Sequence, residues 1–101
     1  MSDTFKNGII FHGDCLEIMN KLAQNNIKVD AVITDLPYGT TKSAWDCIIP
    51  FDNMWKSLKE ITKENSAILL FGQEPFSSTL RNSNIKEYKY DIYWKKERPT
   101  N

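Results

Sequence analysis

The sequence predicts an α/β fold in which a mostly parallel β-sheet carries helices on both faces. Four strand-like segments alternate with three helix-like segments along the chain, which is the order typical of α/β layers. Residues 67–71 are apolar at every position, as expected of a strand that is covered on both faces. The 101 residues contain no repeat, low-complexity segment or linker, so we expect a single domain at most.

The first strand and the first helix are predicted within residues 8–24. Residues 8–12 are apolar enough for a strand, and Asp14 has the position of a helix N-cap with Glu17 three residues later, the spacing of a capping box. Apolar residues then recur at helical spacing, which predicts one buried stripe of a helix. They are Cys15, Ile18, Met19, Leu22 and Ala23.

The second strand, the second helix and the third strand follow in the same order. Residues 29–34 predict a strand, and residues 51–61 predict a helix that ends at Asn65-Ser66. The apolar positions of this helix are again three or four residues apart. They are Phe51, Met54, Trp55, Leu58 and Ile61, and we expect them to lie in the core rather than in a ligand site.

The last two predicted elements are a helix and an alternating strand. Glu74-Pro75 starts the third helix, since proline is favoured in a first turn, and residues 82–84 end it. Residues 88–94 alternate as a strand with one more polar face, in a direction that the periodicity leaves open. The resulting aromatic edge needs cover, so we expect residues 1–101 to be a piece of a larger fold.

Composition excludes several classes of protein. The 13 basic and 13 acidic residues balance, so bulk charge gives no sign of a nucleic-acid partner. The two cysteines lack metal-ligand spacing, and neither a secretory signal nor a membrane-spanning run is present. We therefore expect a cytoplasmic protein with reduced thiols, no metal site and no membrane partner.

The segment Asp35-Leu36-Pro37-Tyr38-Gly39 carries the most chemical information. The Asp35 carboxylate and the carbonyl of Leu36 or Pro37 can accept hydrogen bonds from a planar amine, and the proline restricts the backbone there. Tyr38 offers a ring on which a base can stack, and Gly39 lets the chain turn away. On its own, however, this sequence also suits an ordinary strand-to-loop turn.

Ligands of open α/β sheets bind beyond the carboxyl ends of the strands. The predicted topology brings Asp14, Asp35, Tyr38 and Gln73 to one such rim. Glu74 follows Gln73 and is a further rim residue.

Four blocks in order, residues 11–16, 34–40, 45–46 and 70–78, resemble the DNA methyltransferases that modify the exocyclic amine of adenine or cytosine. The resemblance runs from about Gly8 to the end of the chain. It is closest to the class whose catalytic motif lies near the amino terminus, common in phage and restriction–modification settings. The resemblance implies a Rossmann-like methyltransferase fold, S-adenosylmethionine as cofactor and DNA as partner.

Site roles follow from the same resemblance. Asp35, Leu36, Pro37 and Tyr38 would be catalytic, with Asp35 as acceptor for the amine and Tyr38 as stacking platform. Asp14 and Asp35 would lie near the cofactor, although Asp14 is equally well explained as a plain helix cap.

Tyr38, Gly39, Lys42 and Trp45 would contact the target base, the last two from a covering loop. Loop packing explains Trp45 at least as well. Family habit favours adenine over cytosine.

Two departures from the family pattern are visible. Leu36 stands where the motif usually has a second proline. The glycine-rich cofactor loop is absent from these 101 residues, since the only glycines are Gly8, Gly13, Gly39 and Gly72. We therefore expect a truncated enzyme that needs its remaining half, in cis or from a second chain, to bind cofactor and act. The alternative is a non-enzymatic module that pairs with or competes with a full-length methyltransferase through residues 88–94.

Overall fold

The computed structural model describes residues 2–39 and 47–98. Lys42 and Trp45 lie outside the described residues, so the predicted covering loop is not described. The elements form a mixed α/β arrangement, which agrees with the predicted class. They are β1 (Ser2–Phe5), β2 (Gly8–Phe11), α1 (Cys15–Gln24), β3 (Val29–Asp35), α2 (Phe51–Ile61), β4 (Thr62–Phe71) and α3 (Phe76–Ser83).

A parallel pair of strands, β3 and β4, is the centre of the fold. The pairing runs without interruption from Ala31 opposite Ala67 to Asp35 opposite Phe71. Helix α2 precedes β4 directly, ending at Ile61 and not at the predicted Asn65-Ser66. The reason is that Thr62 already pairs with Val29, so the sheet captures these residues before the helix can continue.

Only one face of this sheet is packed. Val32, Ile68 and Leu70 lie against the hydrophobic core, whereas Ile33 on the opposite face is 68% exposed. Leu69 and Phe71 are exposed beside it. The prediction of helices on both faces is therefore wrong for the described residues, because a wholly apolar strand does not by itself reveal which face its neighbours cover.

The core is a cluster of five buried side chains: Leu36, Met54, Leu58, Phe76 and Leu80. Met54 is the most deeply buried, with 2% of its surface exposed. The cluster joins α2 and α3 to the turn that follows β3, and Met19 of α1 packs against it. The helical stripe predicted for residues 51–61 is thus confirmed as core at Met54, Leu58 and Ile61, whereas Phe51 and Trp55 are only partly buried.

Strand β2 does not join the parallel sheet, contrary to the prediction for residues 8–12. It forms an antiparallel hairpin with β1, in which Ser2 pairs with Phe11 and Phe5 with Gly8. The sequence analysis missed β1, although Asn7-Gly8 is a turn signal. Every residue of both strands is exposed, so neither face of the hairpin is buried by the other described elements.

Residues 88–94 form no strand in the structure, so that prediction is also wrong. The alternating pattern is present, but no strand edge among the described elements pairs with it. Ile92 and the neighbouring aromatic side chains Tyr90, Tyr93 and Trp94 are all at least 74% exposed. Alternation expresses a preference for a half-buried strand, whereas a strand forms only where a second backbone is available.

Within the described ranges, no helix has the length and apolar character needed to cross a membrane.

Candidate functional site

The turn after β3 brings Asp35 and Tyr38 together, as the motif predicts. Strand β3 ends at Asp35, and the Tyr38 hydroxyl donates a hydrogen bond of 2.9 Å to the Asp35 carboxylate oxygen Oδ1. The Asp35 side chain is exposed, and Tyr38 is half-buried. The carboxylate and the phenol ring therefore face the same space at the carboxyl end of the parallel pair.

Leu36 holds this turn in place by packing its side chain in the core. Its side chain is 8% exposed and belongs to the core cluster with Met54 and Phe76. A buried leucine holds the backbone through packing, where the proline of the family motif would restrict it through its ring. Pro37, next in the chain, is half-buried, and the role of the Leu36 or Pro37 carbonyl stays a prediction.

Gly39 ends the turn and cannot be replaced without a rearrangement. Its φ of +74° lies in the left-handed region, which residues with a side chain rarely adopt. A Cβ atom here would lie 2.9 Å from Cγ1 of Ile48. Glycine thus allows Ile48 to approach the turn closely, a contact that the sequence analysis did not predict.

A small apolar pocket opens beside Tyr38. Its volume is about 160 Å³, close to the roughly 150 Å³ of an apolar cavity that binds benzene and below the roughly 300–1,000 Å³ typical of drug-sized ligands. The pocket can therefore hold a small flat group. Its walls are Tyr38, Ile48, Phe51 and Phe76, and Gln73, Glu74, Pro75 and Thr79 complete the lining.

The aromatic walls touch one another. The ring centroids of Tyr38 and Phe76 are 4.9 Å apart with the planes tilted by 31°, and those of Phe51 and Phe76 are 5.8 Å apart. Such contacts add to the burial energy of the rings and hold their orientation. The sequence analysis placed Phe51 in the core and did not name Phe76, and nothing in the spacing of apolar residues distinguishes a core ring from a pocket wall.

Burial is the main cause that raises the pKa of Tyr38 to about 12, and the hydrogen bond to Asp35 adds to it. The phenol is therefore neutral at physiological pH. It acts as a hydrogen-bond donor to the carboxylate and as an uncharged aromatic surface.

Glu74 is held on the opposite side of the pocket by α3. Its Oε1 accepts hydrogen bonds of 2.8 Å from the backbone N–H and the hydroxyl of Ser78, and its Oε2 lies 2.9 Å from Nη2 of Arg81. The hydrogen bonds from Ser78 are the main reason that the pKa of Glu74 is lowered, with Arg81 adding to the effect. Arg81 also contacts Asp91 through Nη1 at 3.3 Å, which ties the segment after α3 to this cluster. The sequence analysis did not identify Arg81.

Asp14 has a different place. Its Oδ1 accepts hydrogen bonds from the backbone N–H groups of Leu16 at 2.9 Å and Glu17 at 3.1 Å, which confirms the predicted N-cap of α1. It does not line the pocket. Because β2 is not part of the parallel sheet, the argument that put Asp14 on the same rim as Asp35 loses its basis.

The pocket beside Tyr38 and a second pocket are both too small to be a site for S-adenosylmethionine. The second one, about 250 Å³ between α2 and α3, is also below the usual range for ligands of that size. Across residues 2–39 and 47–98, no group of three or more His, Cys, Asp or Glu residues is arranged to hold a metal ion.

Comparison with protein families, with curated proteins and with solved structures gave no match for this chain. The family resemblance therefore continues to depend on the motifs in the sequence.

Proposed function

We propose that this chain carries the acceptor-base site of a DNA methyltransferase that modifies the exocyclic amine of a flipped adenine, with cytosine as the less favoured target. The observation that supports the proposal most is the hydrogen bond between Tyr38 and Asp35 beside a small aromatic pocket. The parallel β3–β4 pair, with the motif at its carboxyl end, is also the arrangement in which a Rossmann-like sheet places a ligand site.

The proposed chemistry depends on two acceptors and a ring. The lone pair of an exocyclic amine is delocalised into the base, and accepting hydrogen bonds from its N–H groups moves the nitrogen toward tetrahedral geometry. Tyr38 occupies Oδ1 of Asp35, whereas Oδ2 accepts no hydrogen bond from another described residue. Asp35 can therefore take one N–H of the amine, and the carbonyl of Leu36 or Pro37 can take the other.

Tyr38 would provide the face on which the extruded base stacks. A base must leave the duplex to reach such a pocket, and stacking on an aromatic side chain is worth about 1–3 kcal/mol per base in single-strand binders. The proposal includes DNA as the partner. It also includes a cytoplasmic location, where DNA is accessible. Positioning of the amine is the main contribution that these residues can make.

The methyl donor that the resemblance implies is S-adenosylmethionine. Neither of the two pockets described above reaches its size, and the proposal is accordingly restricted to the acceptor side of the reaction. We include a second chain as a partner in the proposal, and this chain would supply the site for the methyl donor.

Ligand-observed NMR with the 101-residue chain tests the acceptor site. Adenosine and purine riboside differ only in the exocyclic amine, so we expect saturation transfer to adenosine and a several-fold weaker signal for purine riboside. Asp35→Asn should reduce this preference, and Asp30→Asn, on the same strand and also exposed, should leave it unchanged. Equal signals for both nucleosides, or none, would contradict the proposal.

A methyl-transfer assay tests the complete reaction. The chain is incubated with labelled S-adenosylmethionine and unmethylated DNA, and the digested nucleosides are analysed by mass spectrometry. Formation of N6-methyl-2′-deoxyadenosine that disappears in Asp35→Asn would support an adenine methyltransferase that acts without a further chain. N4-methyl-2′-deoxycytidine as the only product would correct the target base.

A binding module is the second candidate function, and one observation favours it. Residues 88–94 are unpaired, and Tyr93 and Trp94 are 88% and 78% exposed. An unpaired segment with alternating large side chains can add to the sheet edge of another protein. Under this alternative the chain pairs with, or competes with, a full-length methyltransferase.

Size-exclusion chromatography with light scattering separates this alternative from the first. If residues 88–94 pair with a second backbone, the wild type should associate with rising concentration, and Ile92→Lys should remain monomeric. A folded wild-type monomer at high concentration would count strongly against the binding module and would leave the acceptor-site proposal unaffected.

A further inference from the structure

We propose that the side-chain amide of Gln73 recognises the ring edge of the bound base and makes the pocket selective for a 6-aminopurine. The inference rests on the proposed function, since it assumes that the pocket beside Tyr38 receives a base. It assigns a specificity role to a residue that the motif Asp35–Gly39 does not include.

The first support is the state of the polar side chains that line the pocket. The Tyr38 hydroxyl is bound to Asp35. The Glu74 carboxylate is occupied by Ser78 and Arg81, and the hydroxyl of Thr79 donates to the carbonyl of Pro75. Gln73 remains: its amide makes no hydrogen bond with another described residue, although it lines the pocket.

The second support is that the backbone under Gln73 is held in place. The Gln73 carbonyl accepts a hydrogen bond of 3.0 Å from the backbone N–H of Ser77. Gly72 lies so close to the same residue that a Cβ atom would be 2.8 Å from the Ser77 hydroxyl. Glu74, the next residue in the chain, is held by its hydrogen bonds with Ser78 and Arg81. A recognition group on a fixed backbone loses less conformational freedom when a ligand binds.

The third support is the position of Gln73 relative to Asp35. Asp35 is paired with Phe71 across the parallel strands, and Gln73 follows Phe71 by two residues at the same end of the sheet. Gln73 lines the pocket itself, whereas the Asp35 carboxylate adjoins it through the hydroxyl of Tyr38, which lines the pocket and is bound to Asp35. An amine held by Asp35 would present the neighbouring edge of its ring toward Gln73.

The chemistry of an amide fits the edge of adenine. The amide N–H groups can donate, and adenine presents ring nitrogens that accept on either side of its amine. Asp35 and the Leu36 or Pro37 carbonyl would take the two N–H groups of the amine, so Gln73 would donate to the adjacent ring nitrogen, N1 or N7. The apolar walls leave few other polar contacts, so this hydrogen bond would decide selectivity.

The experiment is an NMR titration of the full chain with adenosine, 1-deazaadenosine, 7-deazaadenosine and purine riboside. We expect one of the two deaza analogues to bind roughly two- to tenfold more weakly than adenosine, the loss of one neutral hydrogen bond. Gln73→Ala should bind adenosine and both deaza analogues alike, at the weaker level. Gln73→Glu keeps the shape but removes the donor, and it should lose the same discrimination. Gln24→Ala, at the exposed end of α1, is the matched control and should behave as wild type.

The outcomes separate the two proposals. If the wild type binds both deaza analogues as well as adenosine, or if Gln73→Ala keeps the discrimination, the inference about Gln73 is overturned. A preference for adenosine over purine riboside in the same titration would then leave the acceptor site at Asp35 standing. If the wild type binds no adenosine, both proposals fail together. Circular dichroism spectra of each variant show that the fold is retained.

Discussion

Replacing Leu36 by alanine should destabilise the chain strongly, because this residue links the candidate site to the core. Its side chain is 8% exposed and packs in the cluster with Met54, Leu58, Phe76 and Leu80. Substitution of buried leucine by alanine costs about 2–5 kcal/mol, depending on how far the surroundings collapse into the space. Leu36 is less deeply buried than Met54, at 8% against 2% exposed, so we expect a loss near the lower end of that range, about 2–3 kcal/mol.

The assay is thermal and urea unfolding followed by circular dichroism. For a domain of this length, each kcal/mol lowers the melting temperature by about 4–8 °C, so Leu36→Ala should melt at least about 8 °C below wild type. Leu36→Met conserves most of the volume and should lose less than about 1.5 kcal/mol. It therefore separates loss of packing from a general intolerance at this position.

Ile33→Ala is the matched control on the same strand. Ile33 is 68% exposed on the bare face of the sheet, so its truncation removes little buried surface and should cost less than about 1 kcal/mol. If Leu36→Ala proves as mild as Ile33→Ala, Leu36 does not anchor the turn, and the explanation that its packing holds the backbone there is wrong.

Three further predictions concern groups whose surroundings are known in detail. The pKa of Tyr38 is raised from 10 to about 12, so the neutral phenol stabilises the fold. This contribution should be complete below pH 10 and should be lost as the pH rises toward 12. In an absorbance titration, Tyr38 of the Asp35→Asn variant should ionise at lower pH than in wild type, and an unchanged titration would refute the hydrogen bond. Asp14→Ala should lower the unfolding free energy by about 1 kcal/mol through loss of the α1 cap, whereas Asp14→Asn should retain most of it, and similar losses in urea unfolding would contradict the capping role. The pKa of the Cys15 thiol is raised by burial and secondarily by the charge of Asp14. Removal of that charge in Asp14→Asn should therefore allow alkylation of Cys15 to begin at a lower pH than in wild type, as measured by mass spectrometry of the Cys15 peptide.

Local signals in the sequence predicted the helices well. The cap at Asp14, the apolar stripe from Phe51 to Ile61 and the start of α3 after Pro75 all depend on residues within one or two turns. The turn from Asp35 to Gly39 was predictable for the same reason, since strand, acid, proline and glycine stand next to one another. Contacts between residues that are close in the chain can be predicted from the sequence of that short segment alone.

Strand pairing was not predictable to the same degree, because it depends on a partner that is remote in sequence. Residues 8–11 and 88–94 have convincing strand patterns, yet the first pairs with the missed segment 2–5 and the second pairs with none of the described strands. A pattern of period two states that one face prefers burial but does not identify the neighbour. The same limitation concealed the pocket, whose walls Phe51 and Phe76 come from helices separated by β4.

The hairpin of β1 and β2 has a practical consequence for measurements of folding. A two-stranded hairpin without cover is only marginally stable in water, so its backbone amides should exchange with deuterium through local opening, long before the rest of the chain unfolds. The amides of β3 and β4, with one face on the core, should exchange much more slowly. Protection factors averaged over all residues would thus combine two independent processes, and the global unfolding free energy should be read from residues such as Val32 and Ile68 alone.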